Sequence, residues 1–388
     1  MIPIQYSLRN LIRRRANTLA TAFGIALVVF VSSAAGMLAA GIRHTLMASG
    51  EQDSAIVLRK GSDGELSSVL EEELAAQVLS APGIASSPNG RPLGTDELLV
   101  VAGMKRIADG NIATVSIRGI TDTSFALRSG LSFIEGRAPR PNTSEIVIGK
   151  QMRGRFQGLE VGQSFELTRN RPVQVVGVFA CNGSSYESEV WADANLTRNA
   201  FGRAGLSSSI RVRLKSANAF DEFRTALVKD RRFAMEVYRE RTFFEKQSEG
   251  TATFIVAIGT LISIFFSIAA MLGAMITMNA SIARRRREMG TLRALGFSRT
   301  SILFAIILES CLLAVAGGIV GAAVSTALGF VKVSMMNYAS FSEMVFEFRP
   351  SAQTILSAVF TALLMGLFGG LLPALRAARI PAASALRD

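Results

Sequence analysis

The sequence predicts an α-helical membrane protein with four transmembrane helices and a large α+β extracytoplasmic domain. Two observations predict this class: long apolar stretches, and an alternating charge in the segments that join them. A helix needs about 20 apolar residues to span a bilayer. The 388-residue chain has four stretches of that length or more, in which Glu309 is the only charged side chain: 18–42, 251–283, 301–331 and 355–375.

The excess positive charge lies in three short segments. The formal charge is +4 in residues 1–17, +5 in 284–300 and +2 in 376–388, whereas 43–250 holds 27 basic and 25 acidic residues. Basic residues concentrate in cytoplasmic loops. We therefore expect the three basic segments and both termini in the cytosol, with 43–250 and the loop 332–354 on the other side.

Composition argues against several other classes of protein. The basic residues flank the spans and form no aromatic-interleaved patch in the large segment, so we expect no nucleic-acid binding. The first apolar stretch is longer than the roughly 7–15 residues of a signal-peptide core, so we expect a retained anchor. The single His44 cannot build a histidine metal site, and Cys181 and Cys311 lie too far apart in the topology to form a disulfide.

Residues 43–250 are long enough for a hydrophobic core of their own. Strand and helix patterns interleave, which favours an α+β layer fold. A turn-rich stretch at 134–144 divides the segment. We expect one subdomain near the membrane, made of 43–130 and 205–250, and an insertion of about 131–204. The candidate strands are 55–59, 97–101, 113–117, 145–148, 174–178 and 209–214, and the candidate helices are 66–79, 192–201 and 219–229.

One continuous helix is expected to enter the second span, because residues 241–283 contain no proline. Residues 241–250 are polar and would form a stalk; an ordinary helix with a hinge at Gly250 is the alternative. The predicted order of segments is therefore a cytosolic segment 1–17, span 18–42, the extracytoplasmic domain 43–250 with a stalk at about 241–250, span 251–283, a cytosolic helix 284–300, span 301–331, an extracytoplasmic loop 332–354, span 355–375 and a cytosolic tail 376–388.

The loop between the second and third spans predicts a short amphipathic helix. Met289, Leu292 and Leu295 recur at i, i+3 and i+6, which we place on one face. Gly296 stands where a left-handed residue would end the helix, and Ser298 is suited to cap the next one. The apolar stripe is too narrow for a core of its own, so this helix needs lipid headgroups or a cytosolic protein as its partner.

Three segments resemble one protein family. The inner loop 286–299 (RREMGTLRALGFSR), the tail 373–387 (PALRAARIPAASALR) and the opening 7–15 (SLRNLIRRR) are similar to the signatures of ABC-transporter permeases of the MacB/FtsX/LolCE type. The outer domain matches more loosely, at 133–150 and 172–179. The resemblance implies a mechanotransmission permease with a porter-like outer subdomain, an inserted second subdomain, a dimer of permeases and an ATPase that is separate or fused.

The resemblance also implies roles for residues of the inner loop. In that family the loop is a coupling helix that docks on the nucleotide-binding subunit. Carried over, the docking residues are Glu288, Met289, Leu292, Arg293, Leu295 and Gly296. The alternative is a membrane-surface helix with ordinary stop-transfer charges, which explains the basic cluster but not the apolar stripe.

The chain is not expected to be an enzyme or to bind a cofactor or metal. Gly149–Lys150 is its only Gly-Lys pair, and Gln151 follows where a P-loop needs Ser or Thr. Fused members of the family carry the ATPase in the same polypeptide. Here we expect a separate cytosolic ABC ATPase dimer that binds ATP and Mg²⁺.

Glu309 lies about 12 Å into the third span. Because an intramembrane carboxylate is costly, it usually faces protein or water. We expect it to pair with an arginine of the inner loop or to hydrogen-bond to a neighbouring helix, in a coupling or packing role; a proton relay and a neutralised structural group are the alternatives. Gly317, Gly318 and Gly321 follow it and allow close packing of helices, which suits a compact bundle and a second copy.

The expected function is that of a permease subunit in the inner membrane that passes ATP-driven motion to its outer domain. The spans carry almost no polar side chains that could line a channel for a hydrophilic solute. We expect export or extraction of a lipoprotein, peptide or drug, with a second permease copy or relative and a periplasmic adaptor or substrate protein as partners. The alternatives are an FtsX-like regulator that activates an extracytoplasmic cell-wall hydrolase, and an unrelated membrane receptor or scaffold.

Overall fold

The computed structural model describes residues 15–229, 234–337 and 339–379. Residues 7–14 of the opening signature and residues 380–387 of the tail signature lie outside the described residues. The helices are α1 (Arg15–Met47), α2 (Glu72–Leu79), α3 (Asp122–Ala126), α4 (Ala194–Ala200), α5 (Phe220–Val228), α6 (Glu240–Arg284), α7 (Arg286–Ala294), α8 (Arg299–Thr326) and α9 (Ala352–Ala378). The strands are β1 (Ser54–Arg59), β2 (Leu70–Glu71), β3 (Gly94–Lys105), β4 (Ile112–Ile120), β5 (Leu131–Gly136), β6 (Glu145–Gly149), β7 (Ser164–Thr168), β8 (Arg171–Cys181), β9 (Glu189–Asp193), β10 (Leu206–Ser207), β11 (Ser209–Arg213), β12 (Met235–Arg239), β13 (Lys332–Asn337) and β14 (Ser342–Glu347).

Four helices in the described part of the chain are long and apolar enough to cross a membrane: α1, α6, α8 and α9. A large mixed sheet with helices accompanies them. The predicted fold class is therefore confirmed.

The chain forms two compact units. The membrane unit comprises Met1–Gly41, Ala252–Val331 and Glu347–Asp388, and the α/β unit comprises Ile42–Thr251 and Lys332–Phe346. Helices α1 and α6 therefore each contribute residues to both units. Residues 332–346, which were expected to form only a loop, supply the hairpin β13–β14 to the α/β unit.

The α/β unit is built on a ten-stranded sheet with the order β12-β1-β11-β3-β4-β9-β6-β8-β5, to which β7 adds by pairing with β8. The pairs β4/β9 and β6/β8 are parallel, and the other pairs are antiparallel. Two apolar cores lie on one face of this sheet. One contains β1, β11 and β12 with α2 and α5, and the other contains β4, β6, β8 and β9.

The predicted boundary at residue 131 divides one core and one sheet. Val115 and Ile117, which we place in the first subdomain, pack in the same cluster as Ile146, Val175 and Val190 of the expected insertion. Strand β4 also pairs directly with β9. The turn-rich stretch is therefore a surface connection and does not separate two cores.

All six predicted strands are present, and the predicted helix at 66–79 is shorter than expected. It begins only at Glu72, because Leu70 and Glu71 pair with Ser207 and Leu206 as short strands. A local propensity for helix was overridden by this pairing with a distant segment.

Candidate functional site

The inner helix α7 is bounded by two residues with non-helical backbone. Arg285 precedes it with φ −107°, and Gly296 follows it with φ +92°. The left-handed conformation at Gly296 confirms the predicted end of the helix, since glycine adopts it without steric cost. The predicted cap of α8 is also confirmed, because Ser298 Oγ accepts a hydrogen bond from the backbone N–H of Ser301 at 3.1 Å.

The expected apolar stripe of α7 does not form one exposed face. Met289 is 6% exposed and packs with Ile302, Ile306 and Ala374 of the membrane unit, whereas Leu295 is 72% exposed. Residues six apart lie about 120° apart around a helix of 3.6 residues per turn. Met289 is therefore a buried anchor of α7, and the expectation that it shares an exposed face with Leu295 is wrong.

The other predicted docking residues occupy the solvent side or the flank of α7. The Glu288 side chain is 59% exposed, and Gly296 is exposed as well. Leu292 and Arg293 are half-buried, and Arg293 Nη1 donates a hydrogen bond to the Phe297 carbonyl at 3.0 Å. The face available to a partner thus contains Glu288 and Leu295.

A buried ion pair joins the start of α7 to the third span. Arg285 Nη1 lies 3.0 Å from Glu309 Oε2 and 3.2 Å from Oε1, and Nη2 lies 3.2 Å from Oε2. Both side chains are buried. An arginine of the inner loop, one of the two expected partners, is therefore the partner of Glu309. Charge-assisted bonds of this kind are directional, so the pair fixes α7 relative to α8.

The glycines of the third span pack against other helices of the same chain. A Cβ added at Gly317 or Gly321 would lie 2.6 or 2.3 Å from the carbonyl oxygens of Ala22 and Ala26 in α1. A Cβ at Gly318 would lie 2.7 Å from Ala362 Cβ in α9. These glycines let α8 approach α1 and α9 closely, so these contacts belong to the bundle of one chain.

A second polar site, which the sequence analysis did not predict, lies in the α/β unit. We call it the buried charge cluster. It combines three arginines and four glutamates, none more than 6% exposed: Arg118, Arg128, Arg211, Glu65, Glu97, Glu189 and Glu240. Its strand residues alternate with residues of the apolar cores, because successive side chains of a strand point to opposite faces. The cluster therefore lies on the sheet face opposite those cores.

Arg118 is at the centre of the cluster. Its Nε and Nη2 each lie 2.8 Å from the carboxylate of Glu189, and its Nη1 lies 2.9 Å from Glu65 and 3.0 Å from Glu97. One guanidinium group thus binds three carboxylates. Because the cluster is buried, removing one charged side chain would leave the opposite charges without compensation, which is strongly destabilising.

Aromatic rings complete the cluster. The guanidinium carbon of Arg128 lies 4.4 Å from the ring centre of Tyr186 and 4.8 Å from that of Trp191, and Trp191 Nε1 donates to Glu189 at 2.8 Å. Arg128 also binds Glu97 through two hydrogen bonds of 2.8 Å. Cation–π contacts and ion pairs therefore act on the same side chain.

The arginines keep two of the cluster carboxylates, Glu65 and Glu97, ionised, whereas burial raises the pKa of Glu240. Burial raises the pKa of Glu97, but the guanidinium groups of Arg128, Arg211 and Arg118 outweigh it and hold this pKa at about 2. Burial likewise opposes ionisation of Glu65, and Arg118 and Arg211 bring the pKa of that carboxyl well below its usual range.

Acid unfolding of the α/β unit is therefore expected to occur only at low pH. The unfolded chain binds protons at Glu65 and Glu97 near pH 4.3, so their stabilisation is complete above about pH 4.3 and is lost as the pH falls toward about 2. Trp191 is the only tryptophan, so its emission reports this site. We expect a native spectrum down to about pH 4 and a red shift below it; a red shift complete above about pH 5 would contradict the pKa assignments.

In the part of the chain that the structure describes, no group of three or more His, Cys, Asp or Glu side chains is placed to hold a metal ion. The two sites are thus built from ion pairs and apolar contacts. Their chemistry is suited to fixing one element against another.

Two family models match the chain. A MacB-like periplasmic core domain matches residues 16–229, and an FtsX-like permease C-terminal domain matches residues 260–382.

Relatives of two kinds match most of the chain. The uncharacterized ABC transporter permease YknZ of Bacillus subtilis (strain 168) is 24% identical, over 81% of this chain and 88% of its own length. The macrolide export ATP-binding/permease protein MacB 1 of Yersinia pestis bv. Antiqua (strain Antiqua) is 25% identical, over 74% of this chain and 45% of its own length. The chain thus spans less than half the length of this MacB relative.

Two solved structures are also similar. The extracellular domain of the noncanonic ABC-type transporter YknZ from Gram-positive bacteria covers 48% of this chain and 99% of its own, with 18% identity and a TM-score of 0.36. The periplasmic region of MacB from Actinobacillus actinomycetemcomitans covers 53% and 96%, with 15% identity and a TM-score of 0.38.

Proposed function

This chain belongs to the MacB/FtsX family of ABC-transporter permeases, and we propose that it passes ATP-driven motion of a separate cytosolic ATPase to its α/β unit. The nucleotide site belongs to that ATPase, which binds ATP and Mg²⁺, since Gln151 stands where a P-loop in this chain would need Ser or Thr.

The observation that supports this proposal most directly is the attachment of the inner helix α7. Its exposed face carries Glu288 and Leu295, which a partner protein can reach, while Met289 packs into the membrane unit. The ion pair between Arg285 and Glu309 then connects the start of α7 to α8. A force applied to the exposed face would therefore reach the bundle through packed contacts and a directional ion pair.

The charge pattern supports a topology for this process. The three basic segments would lie in the cytosol, with both termini, and the α/β unit would lie outside the inner membrane. Two permease copies, or this chain and a relative, would act together with an ATPase dimer. A periplasmic adaptor or substrate protein would contact the α/β unit.

Export or extraction of a lipoprotein, peptide or drug is the process that we propose. Glu309 is the only charged side chain in the spans, which offers little for a strongly hydrophilic path, so the work would be done on the extracytoplasmic side. The name of the MacB relative, which refers to macrolide export, supports an export role.

Replacement of Leu295 by glutamate is expected to abolish ATPase binding. A buried apolar contact with the partner would gain an unpaired charge, and a loss of about 1.4 kcal/mol already lowers affinity about tenfold. The measurement is affinity purification of the full chain from its native membranes. The ATPase is identified by mass spectrometry through a peptide that contains a P-loop.

Thr300→Glu is the matched control, since Thr300 is also exposed and lies on the first turn of α8. It introduces the same charge outside α7 and should leave the ATPase bound. If Leu295→Glu retains as much ATPase as the unmodified chain, α7 is not the docking element.

A further inference from the structure

We propose that the buried charge cluster is the joint that holds helix α6 on the sheet of the α/β unit, and that Glu240 is its positioning residue. This inference rests on the proposed function, because it names the place where motion of α6 would enter the α/β unit. The residues that carry it all belong to that unit.

Glu240 is the first residue of α6, and its carboxylate joins three other elements. It accepts a hydrogen bond from Arg211 Nη1 of β11. It also accepts from the Tyr186 hydroxyl at 3.4 Å and from the backbone N–H of Glu51, just after α1, at 3.2 Å. A carboxylate at the start of a helix is also favoured by the helix dipole. One side chain thus fixes the start of α6 to the sheet and to the end of α1.

The backbone approaches closely at the same place, which is an independent observation. A Cβ added at Gly50 would lie 2.7 Å from Cα of Arg241. Ser49 Oγ accepts a hydrogen bond from the backbone N–H of Ser185 at 2.9 Å. The segment after α1 and the start of α6 are therefore held together, and both contact the turn Ser185–Ser188.

Charged contacts are suited to a joint because they define one arrangement. Well-packed apolar residues of similar volume often give equal or greater stability than a buried ion pair, and the opposite face of the sheet already has two apolar cores. Apolar contacts are not directional, whereas ion pairs and hydrogen bonds specify which atoms must meet. The cluster therefore contributes a fixed orientation of α6 on the sheet.

Glu240 can be removed without leaving its arginine partner unpaired. Arg211 Nη2 lies 2.9 Å from Glu65, and its Nε lies 3.3 Å from Glu97. The remaining pairs would hold the sheet side of the cluster together. Loss of Glu240 is therefore expected to loosen the attachment of α6 more than the fold of the unit.

The test uses spin labels on the full chain in membranes, with Cys181→Ser and Cys311→Ser as the background. Labels at Gln174→Cys in β8 and Glu245→Cys in α6 report the distance between the sheet and the helix, and both positions are exposed. We expect a narrow distribution of label distances in the doubly labelled chain that retains Glu240, and a broad one in the same chain with Glu240→Ala. Glu249→Ala removes an exposed glutamate of the same helix and should leave the distribution narrow.

Glu240→Gln keeps an acceptor oxygen and loses the charge, so we expect broadening that is smaller than in Glu240→Ala. If Trp191 emission shows that Glu240→Ala does not fold, the distance distribution of Glu240→Gln decides the test. A folded Glu240→Gln or Glu240→Ala chain with an unchanged narrow distribution would overturn the proposal.

A second label pair separates this inference from the proposed function. Labels at Gln174→Cys and at the exposed Leu356→Cys of α9 report the distance between the two units when Mg-ATP is added to the complex with the copurified ATPase. No ATP-dependent shift in the background chain contradicts the proposed function. A shift there that is lost in Glu240→Ala supports the joint, and an equal shift in Glu240→Ala overturns it.

Discussion

Replacement of Arg118 by methionine is expected to lower the free energy of unfolding of the α/β unit by about 3–5 kcal/mol. Glu65, Glu97 and Glu189 would remain buried around a side chain that has no charge. A loss of this size is a large part of the roughly 5–15 kcal/mol that stabilises a typical domain. Chemical denaturation followed by Trp191 emission measures it, because Trp191 Nε1 donates to Glu189.

Arg137→Met is the matched control for this experiment. Arg137 also forms a two-bond ion pair, with Glu145, but its side chain is 46% exposed. Water replaces a lost partner at such a position, so we expect little change. If Arg118→Met is as stable as Arg137→Met, Arg118 is not needed to compensate the buried charges of the cluster carboxylates.

Replacement of Glu309 by methionine is expected to destabilise the membrane unit by about 3–5 kcal/mol, since the buried Arg285 would lose its ion pair with Glu309. Arg285→Met should lower the stability by a similar amount, because the buried carboxylate of Glu309 would then lose the same ion pair. The double variant Arg285→Met/Glu309→Met is expected to be more stable than either single variant, because an apolar pair replaces an ion pair. Thermal unfolding of the purified chain in one detergent measures all three.

Glu288→Ala is the control in this series. Glu288 also lies near Arg285, with its Oε2 3.7 Å from Nε, but the side chain is 59% exposed. Its removal should change the unfolding temperature little. A double variant whose loss equals the sum of the two single losses would show that Arg285 and Glu309 do not act as a pair.

The membrane helices and the C-terminal end of the inner helix were predictable because local rules determine them. Apolar length locates the four spans, and a Gly at the end of α7 followed by Ser298 satisfies the rules for helix termini. The prediction that Met289 and Leu295 share one face was wrong because a stripe at i, i+3 and i+6 turns around the helix. The burial of Met289 depends on Ile302 and Ala374, which are distant in sequence.

The buried charge cluster was missed for a different reason. In β4 and β11, arginines alternate with apolar residues, as in SIRGI at 116–120 and SIRVR at 209–213. This pattern is typical of a strand with one solvated face. Only the tertiary structure shows that Tyr186, Glu240 and the loop at Glu65 cover that face. The sequence indicates such a cluster only when several strands are considered together, because the signal is the presence of charged residues of both signs at alternate positions of neighbouring strands.

The hairpin β13–β14 was also not predicted. Residues 332–347 are rich in Met and Ser and give a weak strand signal. Contacts within the α/β unit stabilise it: Glu343 binds Arg155, and Ser116 Oγ donates to Ser342 Oγ at 2.7 Å. Long-range pairing of this kind is not encoded in any local pattern.

In the proposed function, motion of a cytosolic ATPase reaches the α/β unit through α7 of this chain. The most direct measurement is the distance between labels at Gln174→Cys and Leu356→Cys in the membrane complex, with and without Mg-ATP. We predict an ATP-dependent change in the unmodified background that is absent in Leu295→Glu and retained in Thr300→Glu. An equal change in Leu295→Glu, or no change in any chain, would contradict the account.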